Sequence, residues 1–218
     1  MATWITHLRL AEQLVALGMT LDVDSLLVGS VAPDAGLPNA ALTGFEPPKR
    51  VTHWHNGQGK IDPEAYYRRY LAAPPLDDSA RAFHAGYYLH LVADNEWDTL
   101  IWQPKKRTPL YQKALADMNA TVHEIKRDWY GLDFLYLKAH PTCMYYERFL
   151  FVDTVPDYLD YLPGGLLTET ILKIQAFYRN PRFDLQRPYH YLSQAEIDAY
   201  VDVTGDKLAN LCRGKGWL

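Results

Sequence analysis

The chain has 218 residues, 48% of them hydrophobic and 22% charged: long enough to bury roughly 70% of its unfolded surface in one core, and unlike a disordered, collagen-like or coiled-coil chain. With 22 basic against 26 acidic side chains the formal charge is -4, which argues against a surface that coats nucleic acid. Two cysteines, Cys143 and Cys212, make neither a disulfide framework nor a thiolate metal cluster.

The first seven residues, from Met1 to His7, lack the basic patch and apolar run of a secretory signal. The stretch from Gly86 to Trp102 is interrupted by His90, Asp94, Asn95, Glu96 and Asp98, so no segment approaches the roughly 20 apolar residues of a membrane helix. The expectation is a cytoplasmic protein without a transmembrane segment, and nothing in the pattern specifies an oligomeric state.

Apolar residues recur at helical spacing from Ile5 to Leu17, and Gly18 fits a stop, so the first helix spans residues 4 to 17. A short apolar run, Leu26 to Val31, ends at Ala32-Pro33-Asp34-Ala35-Gly36. From Asp34 to Ile61 the composition turns to Pro, Gly, Asn and His; an irregular stretch of this length is functional or holds a short element that periodicity does not reveal. Asp62-Pro63-Glu64 opens a helix that Pro74-Pro75 ends, and a central helix runs from Asp78 to Trp102 with Phe83, Tyr87, Leu91 and Ala93 as its stripe and Pro104 as its close. Further helical patterns cover 109–127, 129–138, 142–154, 165–179 and 193–212, the last capped by Ser193 with Glu196 three residues on. The expectation is an all-α, multi-helix bundle forming a single domain over 1–218.

The most informative segment runs from His84 to Asp98. The fourth residue along a helix is rotated by only about 40° from the first, so His90, Asp94 and Asp98 project from one face in successive turns, while His84 faces elsewhere. A buried carboxylate without a partner costs several kcal/mol, on the order that a divalent cation offsets. Two readings stand side by side: a metal held by His90 and Asp94, or a hydrogen-bonded His90–Asp94 pair with a solvated Asp98. His7, in the stripe of Trp4, Leu8 and Ala11, reads alone as a satisfied core histidine; Asp34 reads alone as a turn residue; His53 and His55 lie in extended chain.

The order of these residues resembles the zinc-dependent phospholipase C family, whose all-helical fold is shared with the single-strand-specific zinc nucleases. The residues concerned are Trp4-Ile-Thr-His7 opening a helix, Asp34 after a short helix, Thr52-His53-Trp54-His55 in a Gly-rich stretch before Ile61-Asp62, and Gly86-Tyr-Tyr-Leu-His90 followed by Leu-Val-Ala-Asp94. The similarity covers residues 3 to 135. It implies a metal-dependent hydrolase acting on phosphoesters, with one or two zinc ions and a small phosphoester as substrate. Asp34, His53, His90 and Asp94 would form one zinc site, and His7, with Asp94 bridging, would serve a second. The chain departs from the family pattern in three places. Trp4 is internal, so an amino-terminal ligand is not expected. Residues 95 to 102 hold no histidine, for which Asp98 is the replacement, and the residue four places after His123 is Arg127, which leaves Asp128 and Asp133 as the nearby acids.

Nitrogen and oxygen ligands suit a hydrolytic zinc, and manganese, iron or nickel would accept the same set. A water brought to a pKa near 7 attacks phosphorus as hydroxide, with Asp34 or Asp98 as its general base. Trp54, Trp97 and Trp129 are candidates for a cleft, although aromatic residues at helical spacing usually belong to a core. Lys105-Lys106-Arg107 fits a complement to a helix dipole. Lys126 and Arg127 read as a phosphate-neutralising pair or, in preference, as a solvated face, and Cys143 three residues after His140 is a weak nucleophile pair. Two competing functions are a metal-binding or partner-binding protein with a degenerate site, and an HD-type nucleotide phosphohydrolase, which uses an adjacent His-Asp pair that this chain lacks.

Overall fold

Four of the helices begin where the sequence offers an acceptor for an orphan amide. Asp22 accepts from Ser25 N (2.9 Å), Asp62 from Ala65 N (2.9 Å) and Asp77 from Ala80 N (2.7 Å). Ser193 and Glu196 form the expected reciprocal cap, with Ser193 N donating to Glu196 Oε2 at 2.8 Å and Glu196 N donating to Ser193 Oγ at 3.3 Å.

The computed structural model describes residues 1–38, 44–72, 76–116, 121–181 and 184–218, without the side chains of 121 and 122. It is an all-α protein. In chain order the helices are α1 (Trp4–Ala16), α2 (Val23–Gly29), α3 (Lys49–Thr52), α4 (Pro63–Tyr70), α5 (Asp78–Trp97), α6 (Gln103–Lys105), α7 (Pro109–Ala116), α8 (Thr121–Ala139), α9 (Met144–Glu147), α10 (Leu166–Arg179) and α11 (Gln194–Gly214). The irregular stretch after Asp34 does hold short elements: strands β1 (Leu37–Pro38) and β2 (Phe45–Glu46), paired antiparallel, and the single turn α3. Pro74-Pro75, expected to end α4, lies outside the described residues.

Helix α5 is the axis of the fold. Phe83, Tyr87, Leu91 and Trp97 are fully buried, and so are Ala82, Ala85, Leu89 and Ala93 on its other sides, so α5 is enclosed around its circumference rather than along one stripe. Helices α1, α2, α4 and α11 pack against it. Tyrosine hydroxyls tie these layers through buried carbonyls: Tyr200 in α11 donates to Ala93 O (2.7 Å), and Tyr111 in α7 donates to Tyr191 O (2.7 Å).

Three boundaries differ from the expectation. The pattern at 142–154 yields only the single turn α9 and a 3-10 turn at Phe149–Phe151, after which Val152 is extended. Pro104 does not close the central helix: α5 widens into a π-helical turn, Asp98–Trp102, and the chain stays helical through α6. The wide turn gives the proline ring room where a regular α-helix would clash with the carbonyl four residues back. The patterns at 109–127 and 129–138 divide elsewhere, because α8 is continuous from Thr121 to Ala139 through Gly131. A Cβ on Gly131 would come within 2.7 Å of the Tyr189 ring, so the missing side chain is the seat of that tyrosine.

Helices α2 and α5 cross backbone against backbone. A Cβ on Gly86 would lie 2.3 Å from Leu26 O, and one on Gly29 would lie 2.0 Å from Phe83 O. Backbone faces backbone at this crossing, and neither side can give. Alanine normally stabilises a helix interior by about 1 kcal/mol over glycine, but at Gly86 overpacking outweighs that gain. Gly86→Ala is expected to lower stability by at least about 2 kcal/mol, read as a fall in the urea midpoint, while Gly214→Ala, whose Cβ meets nothing within 4 Å, leaves it unchanged or slightly higher. Equal midpoints for Gly86→Ala and wild type would contradict the crossing.

Candidate metal centre

The Gly29–Gly86 crossing places the C-terminus of α2 one turn from His90, and His90 Nδ1 donates to Ser30 O at 2.7 Å. A carbonyl only accepts, so the proton of a neutral His90 sits on Nδ1 and its Nε2 presents a bare lone pair. Tyr87, one turn earlier on α5, donates its hydroxyl to Thr52 O at the end of α3 and meets Tyr161 OH at 2.8 Å. That clamp brings α3 against α5, and the next residue, His53, points inward with its Nδ1 3.1 Å from Thr52 Oγ1. His7 comes from α1 and stacks on the His90 ring, with centroids 3.7 Å apart and planes 11° from parallel.

Asp94 lies at the centre. Its Oδ2 is 3.4 Å from both His53 Nε2 and His90 Nε2, its Oδ1 is 3.5 Å from His7 Nε2, and Asp34 Oδ1 is 3.6 Å from His53 Nε2. These separations are long for hydrogen bonds, which run to about 3.2 Å. They match the edge of a tetrahedron of ligands around an ion with bonds of roughly 2.0–2.1 Å, which is about 3.3–3.4 Å. His7, His90 and Asp94 each bring a ligand atom within 4.8 Å of the others, as do Asp34, His53 and His90. His7, His53, His90 and Asp94 are all buried, and the three Nε2 atoms and Asp94 Oδ2 find no hydrogen-bond partner among the described residues. Each such orphan costs roughly 1–3 kcal/mol. The donor set therefore fits a divalent transition metal.

Electrostatics agree. Burial holds the His7 imidazole down at about 4 and that of His53 at about 3, so both are neutral at physiological pH with lone pairs free to coordinate. Burial alone would raise both carboxyls. His90 and the amino-terminal charge bring Asp94 well below the usual range, and Lys49, His90 and His53 do the same for Asp34. The segment before α1 reaches this carboxylate too, since Ala2 N donates to Asp94 Oδ1 at 3.0 Å.

The other sequence candidates are placed elsewhere. Asp98 leaves the buried face as the π turn begins; it is exposed, and both of its oxygens accept from Gln103 Nε2 at 3.1 Å. Asp128 is buried but spent, with Oδ1 on Arg187 Nη1 (2.7 Å) and Oδ2 on Tyr191 N (2.7 Å). Asp133 accepts from Thr3 Oγ1 (2.7 Å) and Tyr178 OH (2.5 Å), and burial pushes its carboxyl up to about 7. It anchors the start of α1, and neither group of ligand atoms within 4.8 Å of one another includes it. His84 faces away as expected, bonded to Tyr66 OH at 2.7 Å. His55 and His123 are exposed. Cys143 is buried with its thiol pushed up by burial, and His140 Nδ1 bonds to Tyr136 O, so the two form no nucleophile pair. Lys105 pairs with Glu196 at 2.7 Å.

Two clefts reach the cluster. The outer cleft, of about 760 Å³, is lined by Asp94, Asn95, Asp98, Trp102 and Trp129. The inner cleft, of about 280 Å³, has Asp34, Lys49, Trp129 and Tyr130 among its walls. Of the three tryptophans singled out from the sequence, Trp129 lines both, Trp97 is core against Trp129 and Tyr200, and Trp54 packs on Tyr66 and Tyr70. Sequence reasoning missed Ser30, Tyr87 and Lys49. The first two act through a carbonyl and a hydroxyl that carry no motif. Lys49, ion-paired to Asp34, gave a signal only in its place within the irregular stretch.

No protein-family model matches the chain, nor does any of the curated proteins or solved structures with which it was compared. Among the described residues no helix is long and apolar enough to cross a membrane.

The depressed imidazoles make the metal-free protein sensitive to acid. Unfolded, His7 and His53 take up protons near 6.5; folded, they resist until about 4 and about 3. Between those limits the unfolded chain binds more protons, so their contribution is fully present above pH 6.5 and is lost as pH falls through 4. In chelator-treated protein, the stability of His7→Gln relative to wild type is expected to rise by a few kcal/mol between pH 7 and pH 4, read from urea unfolding at each pH. A difference independent of pH would contradict a buried, neutral His7.

Proposed function

We propose that the chain is a metal-dependent, zinc-preferring hydrolase of phosphoesters, built on a helical bundle of the phospholipase C and zinc nuclease type. The observation that carries this reading is the convergence of three orphaned imidazole Nε2 atoms on one carboxylate that lines a cleft, His53 and His90 on the orphaned Asp94 Oδ2 and His7 on Oδ1. A ligand set of nitrogen and oxygen without thiolate suits hydrolysis rather than a closed structural zinc.

His90, Asp94, His53 and Asp34 would hold the first ion, and His7, through the other oxygen of Asp94, would serve a second. An ion held there supplies Lewis acidity toward phosphoryl oxygens and acidifies a bound water toward neutrality. The protein's own groups do the positioning. Ser30 O fixes the His90 tautomer and ring plane, an outer contact of the kind that tunes a metal ligand. Tyr87 and Thr52 set the place of His53. Asp34 stands beside His53 and lines the inner cleft, which places it to accept a proton from the attacking water. Asp98, bonded to Gln103 in the outer cleft, is assigned no part in the chemistry. The buried apolar surroundings exclude competing water from the ligands and strengthen each interaction within the site.

The test is an assay of zinc-reconstituted protein on aryl phosphomonoesters and phosphodiesters, with His90→Ala and Asp94→Asn in parallel. Turnover by wild type and at least a hundredfold loss in both variants is the expected result. Equal turnover in all three would remove the catalytic role and leave a metal-binding protein without hydrolase activity.

A further inference from the structure

The inner cleft carries a charge that the metal centre does not explain. Three lysines from three different helices line it, Lys49 from α3, Lys126 from α8 and Lys173 from α10, with Asp34 as the carboxylate among the lining residues. Lys126 and Lys173 are solvent-accessible, so the cleft opens outward. Loss of hydration and the charge of Lys49 push the Lys126 ammonium downward, against the pull of Asp34. The Lys49 and Lys126 ammonium groups thus repel one another, a cost that a shared anion would relieve.

Lys49 also has a second state available. In this structure its Nζ is ion-paired with Asp34 Oδ1. A cation bound by Asp34 would neutralise that carboxylate and free the Lys49 ammonium for a ligand in the cleft. With one divalent ion and two ligating aspartates, three lysines leave an excess of about three positive charges, so a dianion gains more than a monoanion. Lysine binds phosphate as a point charge and needs no bidentate geometry. The remaining walls include Phe45, Trp129 and Tyr130, flat surfaces suited to an apolar or aromatic group.

We propose that Lys49, Lys126 and Lys173 form the phosphate-recognition side of the cleft, and that they select a phosphomonoester dianion carrying an apolar or aromatic group over a phosphodiester. The proposal rests on the hydrolase reading for its chemistry, although the anion site has its own test. In the reaction, the bond from phosphorus to the ester oxygen breaks and a bond from phosphorus to the water oxygen forms. One proton of the water ends on the released alcohol and the other on phosphate, so neither an oxidant nor a second substrate is required.

Inorganic phosphate, titrated calorimetrically into zinc-loaded protein, is the probe, with wild type compared with Lys126→Ala and the Lys126→Ala, Lys173→Ala pair. Zinc content and thermal midpoint are measured on each to separate recognition from folding and metal binding. The expected results are at least a tenfold weaker phosphate affinity in the pair at unchanged zinc content, and at least a tenfold fall in the monoester-to-diester ratio of kcat/KM. Phosphate affinity equal in wild type and the pair would overturn the proposal, even if the protein hydrolyses esters. Lysine-dependent phosphate binding without hydrolysis of either ester would support the anion site and overturn the hydrolase reading alone. A preference for diesters in wild type would overturn the selectivity.

Discussion

Everything at the centre of this protein follows from two helices that touch through their backbones. Gly29 in α2 and Gly86 in α5 leave no room for a Cβ on either side, and that contact places Ser30 O one turn above it, where His90 Nδ1 reaches it at 2.7 Å. The same contact fixes the rotation of α5 about its axis. Once that rotation is set, His90 and Asp94 face α1 and α3 rather than solvent, and His7 and His53 need only one side chain each to meet them. A one-residue shift at the crossing would turn this face by about 100° and disperse the cluster.

The cluster is an expense that the fold supports by keeping His7 and His53 neutral. Burial of His7 and His53 holds protons off, so the interior contains the charge of Asp94 and not that of every histidine around it. What remains is a set of lone pairs without hydrogens to share, which a core built for stability alone would replace with apolar contacts. Tyrosines contribute on the opposite account: Tyr87, Tyr111 and Tyr200 give hydroxyls to backbone carbonyls, so the high tyrosine count serves packing and backbone satisfaction more than a substrate cleft. Trp129 is an aromatic that lines both clefts.

Much of the frame was legible in the sequence because it depends on local rules. The Ser193–Glu196 cap, the Asp62-Pro63 start and the i,i+4 pairing of His90 with Asp94 are all settled within four residues of chain. The resemblance placed His7, Asp34 and His53 with that pair, and these five residues do meet. What failed was extrapolation along the helix. Asp98 continues the spacing on paper, but the π turn begins there and carries its carboxylate out to Gln103. Asp128 and Asp133 were proposed from nearness in sequence, and each is already satisfied by partners between 45 and 130 residues away. Gly29 and Ser30 left no trace, and Gly86 and Tyr87 entered only as part of a motif and of an apolar stripe, because their roles lie in a missing side chain, a carbonyl and a hydroxyl whose partners only the tertiary structure supplies.

The central claim is that the converging Nε2 atoms and the Asp94 carboxylate are metal ligands. The most direct measurement is an anomalous difference map at the zinc absorption edge from crystals grown with zinc. The account predicts a peak at about 2.0–2.2 Å from His90 Nε2 and an Asp94 oxygen, with His53 or His7 completing the set. A map with zinc confined to surface histidines such as His55 and His123, and none at Asp94, would contradict it.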